Sequence, residues 1–234
     1  MDRRTILLGA AGAGALAIGG AALLRPSGQP LTAGSLLPVG AAQAQTDETA
    51  TEDAADAPYE VVEMELGNPD APVTLIEYAS FTCPHCASFH ERVMPQLKAD
   101  YVDTGRIRFI YREVYFDRPG LWAAMVARCA GPDRYFGVSD LLYENQRDWV
   151  QGAPRDIVDA LMRIGRTAGL DNDELNACLT DAGMAQAMMA RYEANMEEHP
   201  IGGTPSLVIN DELHSNMSYE DLSALLDEAL AAAE

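Results

Sequence analysis

Basic residues are scarce in this chain: 16 Lys and Arg face 36 Asp and Glu in 234 residues, a formal charge of −20. A nucleic-acid partner is held by a basic face, so that class of function is excluded. Cysteine is scarcer, with four in all and none before Cys83, which excludes a lipid-modified N-terminal cysteine. Histidine is as rare. His90, His199 and His214 form no C-x-x-H or H-x-x-H unit, and Cys129 and Cys178 stand alone, so a zinc site lacks its second pair of ligands. Internal repeats are absent. What is present is 48% hydrophobic residues, ordinary for a globular protein and enough for a core.

Long charge-free runs are rare too, and the one from Thr5 to Leu24 is informative. It follows Asp2-Arg3-Arg4, and a basic start before an apolar stretch predicts an export signal. Ala42-Gln43-Ala44 fits a cleavage site, which gives a signal over residues 1–44. An uncleaved membrane anchor is the competing reading, since the run just reaches across a bilayer. The paired arginines match one part of the twin-arginine pattern; the rest matches poorly. Residues 45–58, with the acidic stretch Asp47 to Asp56, read as a disordered linker. Export places the chain in the periplasm, where disulfides persist.

The stretch Phe81-Thr82-Cys83-Pro84-His85-Cys86 organises the rest. Before it, Ala71 to Tyr78 is apolar, β-branched and short enough for a buried strand. After it, Cys86, Phe89, Val93 and Leu97 recur at helical spacing, and the face continues through a kink at Pro95 to Tyr101. The two cysteines therefore sit where a strand hands over to a helix. Pro84 occupies a position where a missing N–H costs nothing. Free N–H groups and the helix dipole there stabilise a Cys83 thiolate, His85 can add a donor or a positive charge, and Cys86, deeper in, suits a resolving thiol. Glu77 lies inside the apolar strand, where an unpaired carboxylate is costly; an outward-facing strand residue is the alternative. Downstream, Gly202-Gly203-Thr204-Pro205 leads into the strand Ser206 to Ile209.

This combination resembles the DsbA-type thiol:disulfide oxidoreductases of the thioredoxin superfamily over roughly Tyr59 to Glu234. The residues that carry the resemblance are Cys83-Pro84-His85-Cys86, the acid Glu77 before them and Thr204-Pro205 before a late strand. It implies an α/β thioredoxin fold, residues 59–117 and 199–234, interrupted by a helical insertion over 118–198. The helical stripes at Trp122, Met125, Val126 and Cys129, and at Ile157, Val158, Leu161 and Met162, agree with that. So do a first strand over Tyr59 to Leu66, a looser stretch over Tyr135 to Val150, helices over Asp171 to Cys178 and Met184 to Met196, and a final helix from Ser218 to Ala233.

By resemblance, Gly203, Thr204 and a cis Pro205 bind the client, Glu77 relays the proton of Cys86, and a membrane reoxidase restores the disulfide. Clients are reduced or unfolded exported proteins; no organic cofactor or metal is required, and a monomer is expected. Cys129 and Cys178 lie on apolar helical faces, and export favours a structural disulfide between them over two buried thiols. Thr204 departs from the Val usual in oxidases and leaves the direction of electron flow open. Isomerase or reductase activity, and a non-catalytic chaperone using the same groove, are the alternatives.

Overall fold

A computed structural model describes residues 59–233. The export signal and linker expected over residues 1–58 lie outside the described residues. Five strands form one mixed sheet in the order β1-β3-β2-β4-β5. They are β1 (Met64–Gly67), β2 (Val73–Ala79), β3 (Ile107–Glu113), β4 (Ser206–Ile209) and β5 (Glu212–Ser215). The neighbours β2 and β3 are parallel, and every other pair is antiparallel. Between β2 and β3 lie α1 (Pro84–Arg92), α2 (Met94–Leu97) and a π-helical turn over Lys98–Val102. Six helices intervene between β3 and β4: α3 (Arg118–Cys129), α4 (Pro132–Glu144), α5 (Gln146–Trp149), α6 (Pro154–Thr167), α7 (Asn172–Thr180) and α8 (Ala182–Glu198). The final helix is α9 (Tyr219–Ala232). This is the thioredoxin fold with a helical insertion that the sequence predicts.

Strand β2 is central and buried on both faces, as its continuous apolar run requires. Side chains alternate across a sheet, so Val73, Leu75, Glu77 and Ala79 share one face and Ile76 and Tyr78 the other. The first face joins the main core with Phe89 and Leu97; the second packs against Tyr192 and Met196 of α8. Glu77 therefore points inward and is fully buried, which removes the outward-facing alternative.

Two elements differ from expectation, and a third bends where Pro95 requires. Strand β1 begins at Met64 rather than Tyr59, because the carbonyls of Val61 and Val62 accept hydrogen bonds from Arg191 and Arg128 side chains and not from β3. The helix after Cys86 is segmented, α1 ending at Arg92 and α2 starting at Met94. Pro95 supplies no N–H and crowds the carbonyl four residues earlier. Its buried face nevertheless runs on through Leu97 and Tyr101. The stretch from Tyr135 to Val150 is two helices, broken at Asn145, whose side-chain amide donates to the Leu141 carbonyl at 2.8 Å.

Caps fix the remaining boundaries. Asp171 starts α7 by accepting from the Asp173 and Glu174 amides, and Ser218 starts α9 by accepting from the Asp221 amide. Asn210 and Asp211, both at positive φ, make the two-residue turn between β4 and β5. Cys129 and Cys178 are bonded to each other, joining α3 to α7 with Cα atoms 6.1 Å apart.

Candidate active site

The reactive turn is built at the end of β2. Cys83 is the N-cap residue of α1, with extended backbone, and Pro84 opens the helix. The Cys83 amide donates to the Ser80 carbonyl at 3.0 Å, and its own carbonyl accepts from Ala87 at 3.2 Å. Two side chains from outside the turn hold it in place. Gln146, 4% exposed, donates from one amide nitrogen to the carbonyls of Phe81 and Cys83, at 2.8 and 2.9 Å. Asp117 accepts from the Thr82 hydroxyl at 2.9 Å and from the Gly120 amide at 2.8 Å, so one carboxylate both caps α3 and anchors the residue before Cys83. Phe81 closes the floor against Tyr111 and Tyr143.

The two thiols, both free, stand in opposite environments. Cys83 is partly exposed and its pKa is lowered to about 5. The largest cause is a hydrogen bond from the Cys86 thiol; the Thr204 side chain and the backbone amides of Cys86 and His85 add to it, and burial opposes them. Of the two contributions expected of His85, a donor or a positive charge, the donor is its backbone N–H, while its ring stays exposed. Cys86 is completely buried, and its thiol is pushed far upward by burial first, then by Cys83 and Glu77.

The loop carrying Thr204 faces Cys83. The Cys83 thiol donates to the Thr204 carbonyl at 3.3 Å, and the buried Thr204 hydroxyl has no hydrogen-bond partner among the described residues. The bond is state-dependent: a thiolate has no proton to donate to that carbonyl. The Thr204–Pro205 peptide is cis. Gly203 and Pro205 line an open cleft of about 510 Å³ whose far wall is Leu213 and His214 of β5.

Glu77, whose charge acts on Cys86, has its Oε2 3.0 Å from His90 Nε2. The His90 ring stacks on Tyr143 with centroids 4.2 Å apart, and the hydroxyls of Tyr143 and Tyr111 are hydrogen-bonded. Sequence reasoning missed His90, Tyr111, Tyr143, Gln146 and Asp117. His90 was findable, because it stands four residues after Cys86 and so on the same helix face. Gln146 carries no local signal; it arrives from the insertion, far along the chain. Among the described residues no three His, Cys, Asp or Glu side chains converge as a metal site would require.

Comparison with known proteins bears on this site. The thioredoxin family model matches residues 60–228. A protein of Rickettsia bellii (strain RML369-C) named as a protein-disulfide oxidoreductase is 33% identical over 170 residues, covering 72% of this chain. The match spans 64% of that relative's length, just under two thirds. Disulfide bond formation protein D of Bacillus subtilis (strain 168) is 26% identical over 175 residues, covering 70% of this chain and 76% of its own. Among solved structures, Wolbachia pipientis alpha-DsbA1 superposes with a TM-score of 0.68 at 26% identity, covering 75% of this chain and 94% of that one.

Proposed function

The chain belongs to the thioredoxin family in its DsbA-like form, and from that premise we propose that it donates disulfides to exported proteins through Cys83 and Cys86. The observation that carries the proposal is the asymmetry of the pair: one sulfur partly exposed with its thiolate favoured, the other buried with its thiolate disfavoured. A client thiolate attacks the exposed sulfur of Cys83, the Cys83–Cys86 bond breaks, and its electron pair leaves on Cys86, which takes a proton. A second client thiolate then attacks the client sulfur of the mixed disulfide and releases Cys83 as a thiolate, a good leaving group because it is stabilised. Two electrons pass from client to enzyme, and the client gains a disulfide. Glu77 serves the Cys86 proton, and the cleft beside Gly203, Thr204 and Pro205 takes the client in extended form.

Residues 1–44 export the chain to the periplasm, as an N-terminal signal or anchor, and a membrane reoxidase restores the disulfide. Isomerase or reductase activity is the second reading, raised by Thr204. Its hydroxyl, however, is among the groups that favour the Cys83 thiolate, which works toward an oxidant. Oxidative refolding of a reduced, disulfide-containing protein tests the proposal. Acceleration by the disulfide form, lost in Cys83→Ser, is the expected result; refolding no faster than with glutathione alone moves the chain to the binding-module reading.

A further inference from the structure

The first exchange step leaves an electron pair on a sulfur in a place that does not tolerate charge. Cys86 is fully buried, and its thiolate is strongly disfavoured by burial, by Cys83 and by Glu77. A proton must reach that sulfur as the bond breaks. Glu77, whose charge acts on that sulfur, is hydrogen-bonded through Oε2 to His90 Nε2, the glutamate side chain 0% and the histidine side chain 5% exposed. Each member has one further polar atom, Glu77 Oε1 and His90 Nδ1, that is buried without a hydrogen-bond partner among the described residues. Buried polar atoms are nearly always paired, so two orphans on one pair call for a cause.

Proton counting supplies one. A carboxylate alone at this depth would be an unpaired buried charge. With the Nε2 proton bridging the two groups, one additional proton makes the pair neutral, as acid and imidazole or as carboxylate and imidazolium. In the first form that proton sits on Oε1, in the second on Nδ1. These are the two atoms that lack a partner.

We propose that Glu77 and His90 form a one-proton couple that supplies the Cys86 sulfur with its proton as that sulfur leaves, His90 sharing the proton that Glu77 delivers. This inference rests on the thiol–disulfide reading. The bond between client sulfur and Cys83 forms, the Cys83–Cys86 bond breaks, and the electron pair on Cys86 takes the couple's proton. The couple is left as a carboxylate accepting from Nε2–H. It regains a proton from water, or from Cys86 when the disulfide is restored. His90 is suited to this, being one turn after Cys86 on α1 and held by Tyr143 stacked on it and Tyr111 edge-on at 5.9 Å.

The titratable groups facing the couple are few. Tyr111 of β3 and Tyr143 of α4 are kept protonated by burial, Asp140 of α4 is an exposed carboxylate that feels a His90 charge, and Cys86 lies on the same helix. On β4 the residue opposite Glu77 is Leu207, which carries none.

The test is single-turnover reduction of the disulfide form of the full chain by glutathione, quenched and alkylated to read the release of Cys86. Rates are taken between about pH 5 and pH 9 and corrected for the thiolate fraction of glutathione. The wild-type corrected rate is expected to fall through an inflection on the alkaline side as the couple loses its proton. His90→Gln keeps a donor for Oε2 but cannot hold the extra proton; it should slow release by at least about tenfold and shift the inflection, and Glu77→Gln should remove it. A His90→Gln profile that superposes on wild type overturns the couple and leaves the exchange reading standing. A wild-type disulfide that does not exchange with glutathione at all sinks the exchange reading instead. If neither variant folds, the wild-type profile decides alone, and a corrected rate without an inflection over that range overturns the proposal.

Discussion

At the scale of single residues, the chemistry is a division of labour between two sulfurs three positions apart. Alkylation of the dithiol form should label Cys83 with an inflection near about 5 and spare Cys86, read by peptide mapping against pH. Thr204→Val removes a hydroxyl that favours the thiolate, so the Cys83 inflection should move upward; an unchanged inflection would take Thr204 out of the tuning. The same shift has a consequence for stability with a definite sign. A thiol whose folded pKa is lowered contributes stability that is complete above its ordinary value of 9.0, declines as pH falls and is gone below about 5. The disulfide form has no such contribution. The gap in melting temperature between dithiol and disulfide forms should therefore shift toward the disulfide as pH is lowered through neutrality to below 5. Thermal melts of both forms at matched pH check this.

At the scale of elements, the turn depends on a residue from the inserted helices. Gln146→Leu leaves the buried Phe81 carbonyl without its donor, whereas the Cys83 carbonyl keeps Ala87. One unsatisfied buried acceptor costs about 1–3 kcal/mol, which denaturant titration of the variant should show. That dependence also marks the limit of what the sequence discloses. Strand β2, the Cys83-Pro84-His85-Cys86 helix start, the caps Asp171 and Ser218 and the stripe of α3 are legible, because periodicity and capping are local. The short β1 is not, since Arg128 and Arg191 claim the carbonyls of Val61 and Val62 from far along the chain. Nor are Gln146 and Asp117 as supports of the turn, because a polar side chain on a distant helix carries no sign of which carbonyl or hydroxyl it will meet. The Glu77–His90 contact lies between these cases: strand alternation and helix spacing put both residues on inward faces, but only the fold sets them 3.0 Å apart.

The Cys129–Cys178 bond belongs to the scale of the insertion and beyond, since it ties α3 to α7 across a sequence separation of 49. Chain entropy for a loop of that length gives roughly 4 kcal/mol, so Cys129→Ala with Cys178→Ala should lower stability by up to that amount in denaturant. For the whole molecule the question is which way electrons flow. Each pKa unit on Cys83 is worth ~1.4 kcal/mol between protonation states, and ~1.4 kcal/mol is ~30 mV for a two-electron couple. A thiol lowered from 9.0 to about 5 therefore sets an upper bound on the order of 100 mV toward oxidant, with solvent screening at the partly exposed sulfur reducing it. Against it stands the charge of −20, whose field opposes a thiolate. Among the described residues the acids other than Glu77 and Glu113 are not buried, and salt screens such charges beyond ~10 Å, while the groups acting on Cys83 are its immediate neighbours. The near contacts win on distance alone. Equilibration with glutathione should place the couple well above the ~−270 mV of thioredoxin, and the value should change little between low and physiological salt. A thioredoxin-like potential, or one that climbs steeply with salt, would mean that the diffuse charge governs Cys83 and that the chain works as a reductant.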